Sequence, residues 1–530
     1  MGKRVLIVCS AFVMMLTACN ANKAENEAYL NEDDVPNNIE IQYEKNYSDG
    51  TPILDFDTRY ENIKNTYPDK KILIWASNEN VRYEEEVNKY LNDNKAEYVI
   101  CFKNICDDKE MYDENGWITS YTEIFEKEIN DDMTIDIVST CYAYSQYDAF
   151  FNTYHHFVDQ HWLEPLNDYL TNNSIGQKLL NFYPQNFWDA MEYKGEIWGI
   201  DGSLTCLGFT AGYKINADLY DKLTLTAKDL EGNYVDTLDT IYKICAENNM
   251  MFSTGLLNSM SMYTPYDFIT SCVYINEQGK AENIYQNADT SELFDLVGDA
   301  YNNGTNINIY NTSVDELDSY FGESTYATCG KYTNDQIRTN EYFGLTSYDD
   351  NCEAYKIYPK SYNIIHAPMT AVGICSFSDN KELAFEALVQ LMTNEKLNNI
   401  MCYGIDYEVV DGCITTNGYY NTMNVENKLS RLPFSGLEYS DMHKRFKAAL
   451  NDFDVSEYAG FSFDGSKVKQ QIIDTEKVLS LIDMEYPSDQ YNSGEEYLTI
   501  LNERLCDAGL QDIIDEANRQ LEVYNNEKNS

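Results

Sequence analysis

Short apolar runs and amphipathic stripes take turns along most of this 530-residue chain. Lys71-Ile72-Leu73-Ile74-Trp75-Ala76 has the composition of a buried strand. Tyr83, Val87, Tyr90 and Leu91 follow at i, i+4, i+7 and i+8, the spacing of one helix face. Tyr98-Val99-Ile100-Cys101-Phe102 predicts a second strand. Strand, helix, strand in this order implies parallel pairing through a right-handed crossover. A helix over about 121–129 then leads to a third strand, Ile135-Asp136-Ile137-Val138. Much later, Gly373 to Phe377 reads as a strand and Ser378-Asp379-Asn380 as a turn. The next helix carries Leu383, Ala384, Ala387, Leu388, Leu391 and Met392 on one side, with Asp379 and Glu382 at capping-box spacing. Two final helices split near Gly509. One carries Tyr497, Leu498, Leu501 and Leu505, the other Ile513, Ile514, Ala517, Leu521 and Tyr524. No internal repeat of fixed period is evident. The alternation predicts an α/β protein, and the length predicts two or more structural units.

The N-terminal segment follows a different pattern. Lys3 and Arg4 precede an apolar stretch from Val5 to Met15, and Leu16-Thr17-Ala18-Cys19 follows. The stretch is too short to span a membrane and reads as a signal peptide, residues 1–18. Its end resembles a bacterial lipobox, in which the thiol of the Cys, here Cys19, carries the lipid. An ordinary secretory signal with a chance Cys is the alternative. Residues 19–69 read as a flexible acidic tether. Between Asn20 and Gly50 eight acidic residues stand against two Lys, so self-repulsion favours extension. A short strand around Ile39–Tyr43 is the one element its alternation suggests.

Charge narrows the partners. Asp plus Glu is 88 and Lys plus Arg is 38, a net charge of −50. Such a surface repels phosphate backbones and anionic membranes, so no nucleic-acid partner is expected. It also disfavours anionic substrates. Tyr is abundant at 45 residues, and a phenol joins an apolar face to a hydroxyl. The 14 Cys show no zinc-ribbon or C-x-x-C spacing. Most lie in apolar settings and read as small buried hydrophobes, with one or two disulfides as the alternative. His155, His156 and His161 are poorly spaced to share a helix face, so no metal is expected. P-loop, H-E-x-x-H, EF-hand and G-x-S-x-G patterns are absent, and no cofactor is expected.

Five local patterns together carry a family resemblance over about 70–525. They are Ile72–Trp75 with its helix; Asp136-Ile137-Val138 followed by Trp162 to Leu170; Trp188-Asp189-Ala190, Tyr193 to Ile200 and Gly212 to Asn216; Phe321 to Ala327 with Gly330 and Tyr332; and Ser378 to Met392. Their order and spacing resemble the extracellular carbohydrate-type solute-binding proteins of ABC importers, relatives of maltose-binding protein. The ending after Leu505 is similar to the longer branch found in Gram-positive bacteria. Two positions depart from the pattern. Asp201 stands where Pro is usual, and Tyr332 replaces the usual Trp.

The resemblance implies a periplasmic-binding-protein-like fold of two α/β lobes with a ligand cleft at the hinge. Lobe 1 is placed at 70–190 and 366–430, lobe 2 at 191–365 and 431–530. It implies capture of a sugar or oligosaccharide by lobe closure and delivery to ABC permease subunits. It implies a monomer, lipid-anchored at the extracellular face of a bacterial membrane, and no enzyme. A surface glycosidase and a sensor lipoprotein of the same fold are the alternatives. Ser77, Asn78 and Glu79 follow the first strand, where short polar groups can bond sugar hydroxyls; helix capping by Ser77 or Asn78 is the plain alternative. Tyr142 and Tyr144 follow the third strand. Asp201 lies near a chain crossing, and Tyr213 in a strand-like segment where it also suits a core. Tyr263 and Tyr266 flank Pro265, and Tyr332 follows Gly330. An aromatic covers the apolar C–H face of a pyranose while carboxylates and amides bond its hydroxyls. Trp75 is expected in the core.

Overall fold

A computed structural model describes residues 52–106, 120–130, 134–140, 152–207, 212–216, 234–248, 252–253, 257, 260, 266–306, 308, 337–340, 354–357, 364–410, 413–415, 427–432 and 439–528. The expected strand at 39–43 lies outside them. The chain forms two compact units. The first holds residues up to Cys206 together with Ala367–Ser435; the second holds Leu207–His366 and Gly436–Ser530.

The first unit is built on a five-stranded sheet in the order Tyr98–Asn104, Lys71–Ser77, Ile137–Thr140, Ala371–Ile374, Gly199–Ile200. The first three strands are parallel, and Ala371–Ile374 runs antiparallel to both of its neighbours. Parallel strands are covered on both faces, which is why they read as unbroken apolar runs. Leu73, Trp75, Val99, Ile100, Ile137 and Val138 are buried accordingly. The Trp75 indole donates to Ser139 Oγ at 3.0 Å, so this ring belongs to the core as expected. Residues 191–206 were expected in the second lobe and stay with the first unit. The reason is backbone pairing: Gly199 and Ile200 bond Gly373 and Val372, adding the fifth strand.

The crossover helix Glu84–Asp93 does more than bury Val87 and Leu91. Tyr98–Asn104 is an edge strand, and exposed edge groups invite pairing with other chains. Asn88, fully buried, closes this edge by donating to the Ile100 carbonyl and accepting from the Ile100 N–H, both at 2.7 Å. Glu84 accepts from Phe102 N–H at 2.7 Å and pairs with Arg59 at 2.6 Å. At the other end of the unit, the helix Lys381–Thr393 buries Ala384, Ala387, Leu388, Leu391 and Met392. The expected Asp379–Glu382 capping box does not form; Asn380 is the N-cap and makes no side-chain cap bond. Asp136 replaces it. Its carboxylate accepts from Ile74 N–H at 2.9 Å, Ser378 Oγ at 2.5 Å and Asn380 Nδ2 at 2.8 Å.

Among the described residues the second unit contains, besides the short parallel pair Ile364–Ile365 and Asp454–Val455, two larger sheets. One has four strands in the order Ala354–Ile357, Gly212–Asn216, Ile337–Asn340, Phe252–Ser253. The other is antiparallel, with Val273–Ile275 between Ala281–Asn283 and Asp267–Thr270. The helices Gly494–Asp507 and Leu510–Lys528 are separated by Gly509, whose φ of +93° is the left-handed geometry that ends a helix. Asn518 holds Ala281 by its N–H and carbonyl at 2.9 and 3.0 Å. Phe294, Tyr486 and Tyr497 stack in the core, with Tyr486 and Tyr497 centroids 4.9 Å apart. The described cysteines Cys101, Cys106, Cys206, Cys272, Cys375, Cys402 and Cys413 are buried, and Cys506 is exposed.

Candidate functional site

In the first unit, Ser77, Asn78 and Glu79 leave the carboxyl end of a parallel strand, where open α/β sheets gather ligand-contacting loops. The Ser77 hydroxyl is buried. It donates to the Glu79 carbonyl at 3.0 Å and accepts from Glu79 N–H at 3.4 Å. This bond shapes the turn and leaves Asn78 and Glu79 half-buried. Tyr142 and Tyr144 lie outside the described residues.

Asp201 is fully buried. Its Oδ2 accepts from Thr205 Oγ1 at 2.9 Å and from Cys206 N–H at 2.8 Å, while Oδ1 has no hydrogen-bond partner. Burial pushes its carboxyl above the usual range, opposed by the Cys206 and Thr205 bonds and the Lys428 charge. Thr205 Oγ1 in turn accepts from Met369 N–H at 3.0 Å and Thr370 N–H at 3.3 Å. Asp201 thereby stitches the segment about to leave the first unit to the segment that has just returned. Thr205 was missed in the sequence because nothing local to it signals a partner more than 160 residues away.

In the second unit, Tyr213 sits in the strand Gly212–Asn216, between Thr339 and Ile357 on its neighbours. Tyr266 is half-buried just before the strand Asp267–Thr270, with its ring centroid 4.7 Å from that of Tyr274. Tyr263, Tyr332 and Cys19 lie outside the described residues. Ser77, Asn78 and Glu79 share one turn; Asp201 is enclosed a few residues before the chain passes to the second unit.

No group of His, Cys, Asp or Glu suited to a metal ion occurs among the described residues. His155 is buried against Tyr193, rings stacked at 3.8 Å, and neither ring nitrogen has a hydrogen-bond partner. Burial, with Lys194 adding to it, lowers its pKa to about 3. Among the described residues no helix is long and apolar enough to cross a membrane.

Comparison with known structures gives the fold a setting. The N-glycan transport solute binding protein NgtS from Streptococcus pneumoniae superposes with a TM-score of 0.61 at 16% identity, over 86% of this chain and 99% of that one. The fold is that of a solute-binding protein. The same pneumococcal protein in complex with Man1GlcNAc gives 0.53 at 16% identity, over 86% and 99% of the two chains. Its complex with Man5GlcNAc gives 0.51 at 15% identity, over 86% and 98%. A family model described as a domain of unknown function, DUF3502, matches residues 457–526, which cover the last three long helices of the solute-binding fold. No curated protein matches the chain by sequence.

Proposed function

We propose that this chain is the solute-binding component of an ABC importer and that its cargo is a neutral oligosaccharide. The observation that carries the reading is the superposition on a glycan-transport binding protein over nearly the whole of that protein's length. Composition supports the neutral cargo, since a net charge of −50 repels anionic ligands at a distance. Asn78, Glu79, Tyr142, Tyr144, Tyr213, Tyr263, Tyr266 and Tyr332 supply the cargo's contacts, the polar groups at sugar hydroxyls and the phenols at sugar faces, while the buried Ser77 shapes the turn that carries Asn78 and Glu79. Asp201 acts by fixing the turn at Thr205–Cys206. Capture proceeds by closure. A ligand drives closure only by binding the closed form better than the open one. The cargo leaves chemically unchanged, and a diacylglycerol on Cys19 holds the protein at the outer face of the membrane, beside its permease.

Calorimetry of the mature protein against a panel of neutral oligosaccharides, Man5GlcNAc among them, tests the reading. The expected result is saturable one-to-one binding and a rise in Tm, with chromatography recovering the sugar intact. Hydrolysis products, or an absence of binding across the panel, overturn it. A Cys19→Ala chain released into the medium of the producing cells is the expected outcome for the anchor.

A further inference from the structure

The antiparallel sheet of the second unit has two unlike faces. Ile275 and Ala281 are buried on one, and Asn283 on the same face bonds Asn502 of the helix Gly494–Asp507 at 2.6 Å. The other face carries Tyr266, Phe268, Tyr274 and Glu282. Phe268 is directly opposite Tyr274, and Tyr274 directly opposite Glu282. Tyr266 lies two residues before Phe268, so strand periodicity puts both on one side. Their rings meet over Tyr274, at centroid distances of 4.7 Å for Tyr266 and 6.4 Å for Phe268. Tyr274 is buried, Tyr266 and Phe268 are half-buried, and Glu282 is exposed.

This row of rings is held in place. Asn287 Nδ2 donates to the Tyr274 hydroxyl at 3.0 Å. The other end of the Asn287 amide accepts from Asp289 N–H at 2.9 Å, capping the helix Ala288–Asn302. The Tyr274 hydroxyl reaches Glu282 at 3.4 Å. The Tyr274 phenol and the Asn287 amide are thus engaged internally. The outward-facing remainder is two ring surfaces with a carboxylate beside them.

We infer that Tyr266, Phe268 and Glu282, on the base of Tyr274 and Asn287, form a glycan-stacking platform that takes two consecutive rings of a neutral oligosaccharide. The inference rests on the proposed function and extends it from Tyr266 to Phe268, Tyr274, Glu282 and Asn287. Side chains two apart on a strand stand about 7 Å from each other, so two aromatic faces in line suit neighbouring sugar rings rather than one. The apolar C–H face of each pyranose stacks on a ring, and Glu282 accepts hydrogen bonds from hydroxyls at the edge. The charge is complementary, because a carboxylate next to an apolar face welcomes hydroxyl donors and rejects anions. A quaternary ammonium ion would need a cage of open rings, whereas Tyr274 is buried and only two of the three rings are accessible.

The test is calorimetric titration of the intact mature protein with the neutral oligosaccharide that binds it best. Tyr266→Ala and Phe268→Ala are each expected to weaken binding about two- to ten-fold. Both rings are half-buried, so each variant is expected to lose some Tm, and affinity is compared at a temperature where all variants are folded. Phe268→Tyr keeps an aromatic face at that place and should bind the oligosaccharide about as tightly as wild type. Shortening the oligosaccharide should abolish the difference between wild type and Phe268→Ala. A double alanine variant that folds and binds like wild type overturns the platform and leaves the proposed function standing. Displacement of the sugar by tetramethylammonium overturns the ligand class. If the wild type binds no oligosaccharide, both readings fall. Should the alanine variants not fold, Phe268→Trp serves as a reporter: its emission must shift on adding sugar, and an unchanged spectrum overturns the platform.

Discussion

His155 is a base kept from its proton. In the unfolded chain it titrates near 6.5, and in the fold its pKa is about 3. Above pH 6.5 the neutral ring is common to both states and costs nothing. As pH falls from 6.5 towards 3, the unfolded chain takes up a proton that the folded chain refuses, and stability is lost across that window. The limit is on the order of 5 kcal/mol. His155→Phe keeps a flat ring over Tyr193 without ring nitrogens, so its Tm should decline less between pH 6.5 and 4 than that of wild type. Thermal unfolding at a series of pH values reads the difference, and parallel declines would refute it. Asp136 shows the opposite economy, one carboxylate holding a strand N–H, a serine hydroxyl and an asparagine amide. Hydrogen bonds to a charged group contribute more than neutral ones. Asp136→Ala should therefore destabilise the first unit by about 3 kcal/mol in urea unfolding.

At the scale of elements, the approach of the helices Ala288–Asn302 and Gly494–Asp507 depends on Gly494. A Cβ there would lie 2.5 Å from Asp295 N and from the Phe294 carbonyl carbon, and backbone cannot step aside as a side chain can. Gly494→Ala should cost about 1–3 kcal/mol despite the better helix propensity of alanine, measured by denaturant midpoint. The same scale shows what the sequence discloses. Strands 71–77 and 98–104 are legible because burial on both faces wrote them as continuous apolar runs. The sheet at 267–283 is not, because Asp267, Thr270, Glu282 and Asn283 interrupt its short strands and Asn518, 237 residues from Ala281, completes its bonding. Asp379 and Glu382 have the spacing of a cap, yet Asp136 satisfies that turn from 242 residues before Ser378. The site divides likewise. Ser77, Asn78 and Glu79 are found by following a strand to its end. Tyr274 becomes a partner of Tyr266 only through strand pairing with a register shift, which no local pattern announces.

For the whole molecule, net charge is the dominant long-range term. At −50 the folded chain repels itself, and added salt screens that repulsion over a Debye length of about 10 Å at 0.1 M. Tm should rise between 10 mM and 300 mM sodium chloride, by an amount that calorimetry resolves. A Tm indifferent to salt would show that the charges are locally compensated. The exposed pairs Lys64–Glu61 and Lys477–Asp474 contribute little to such compensation.

The returning segment Ala367–Ser435 has a bearing on birth as well as on shape. Ala371–Ile374 sits inside the first sheet, between Ile137–Thr140 and Gly199–Ile200. A polypeptide threaded outward from its N terminus therefore cannot seal that sheet until some 370 residues have emerged. Nor can the antiparallel sheet of the second unit be covered until Asn518 arrives. For most of its passage the newborn chain waits with unfinished strand edges, and its heavy negative charge then serves to keep one waiting chain from adhering to the next.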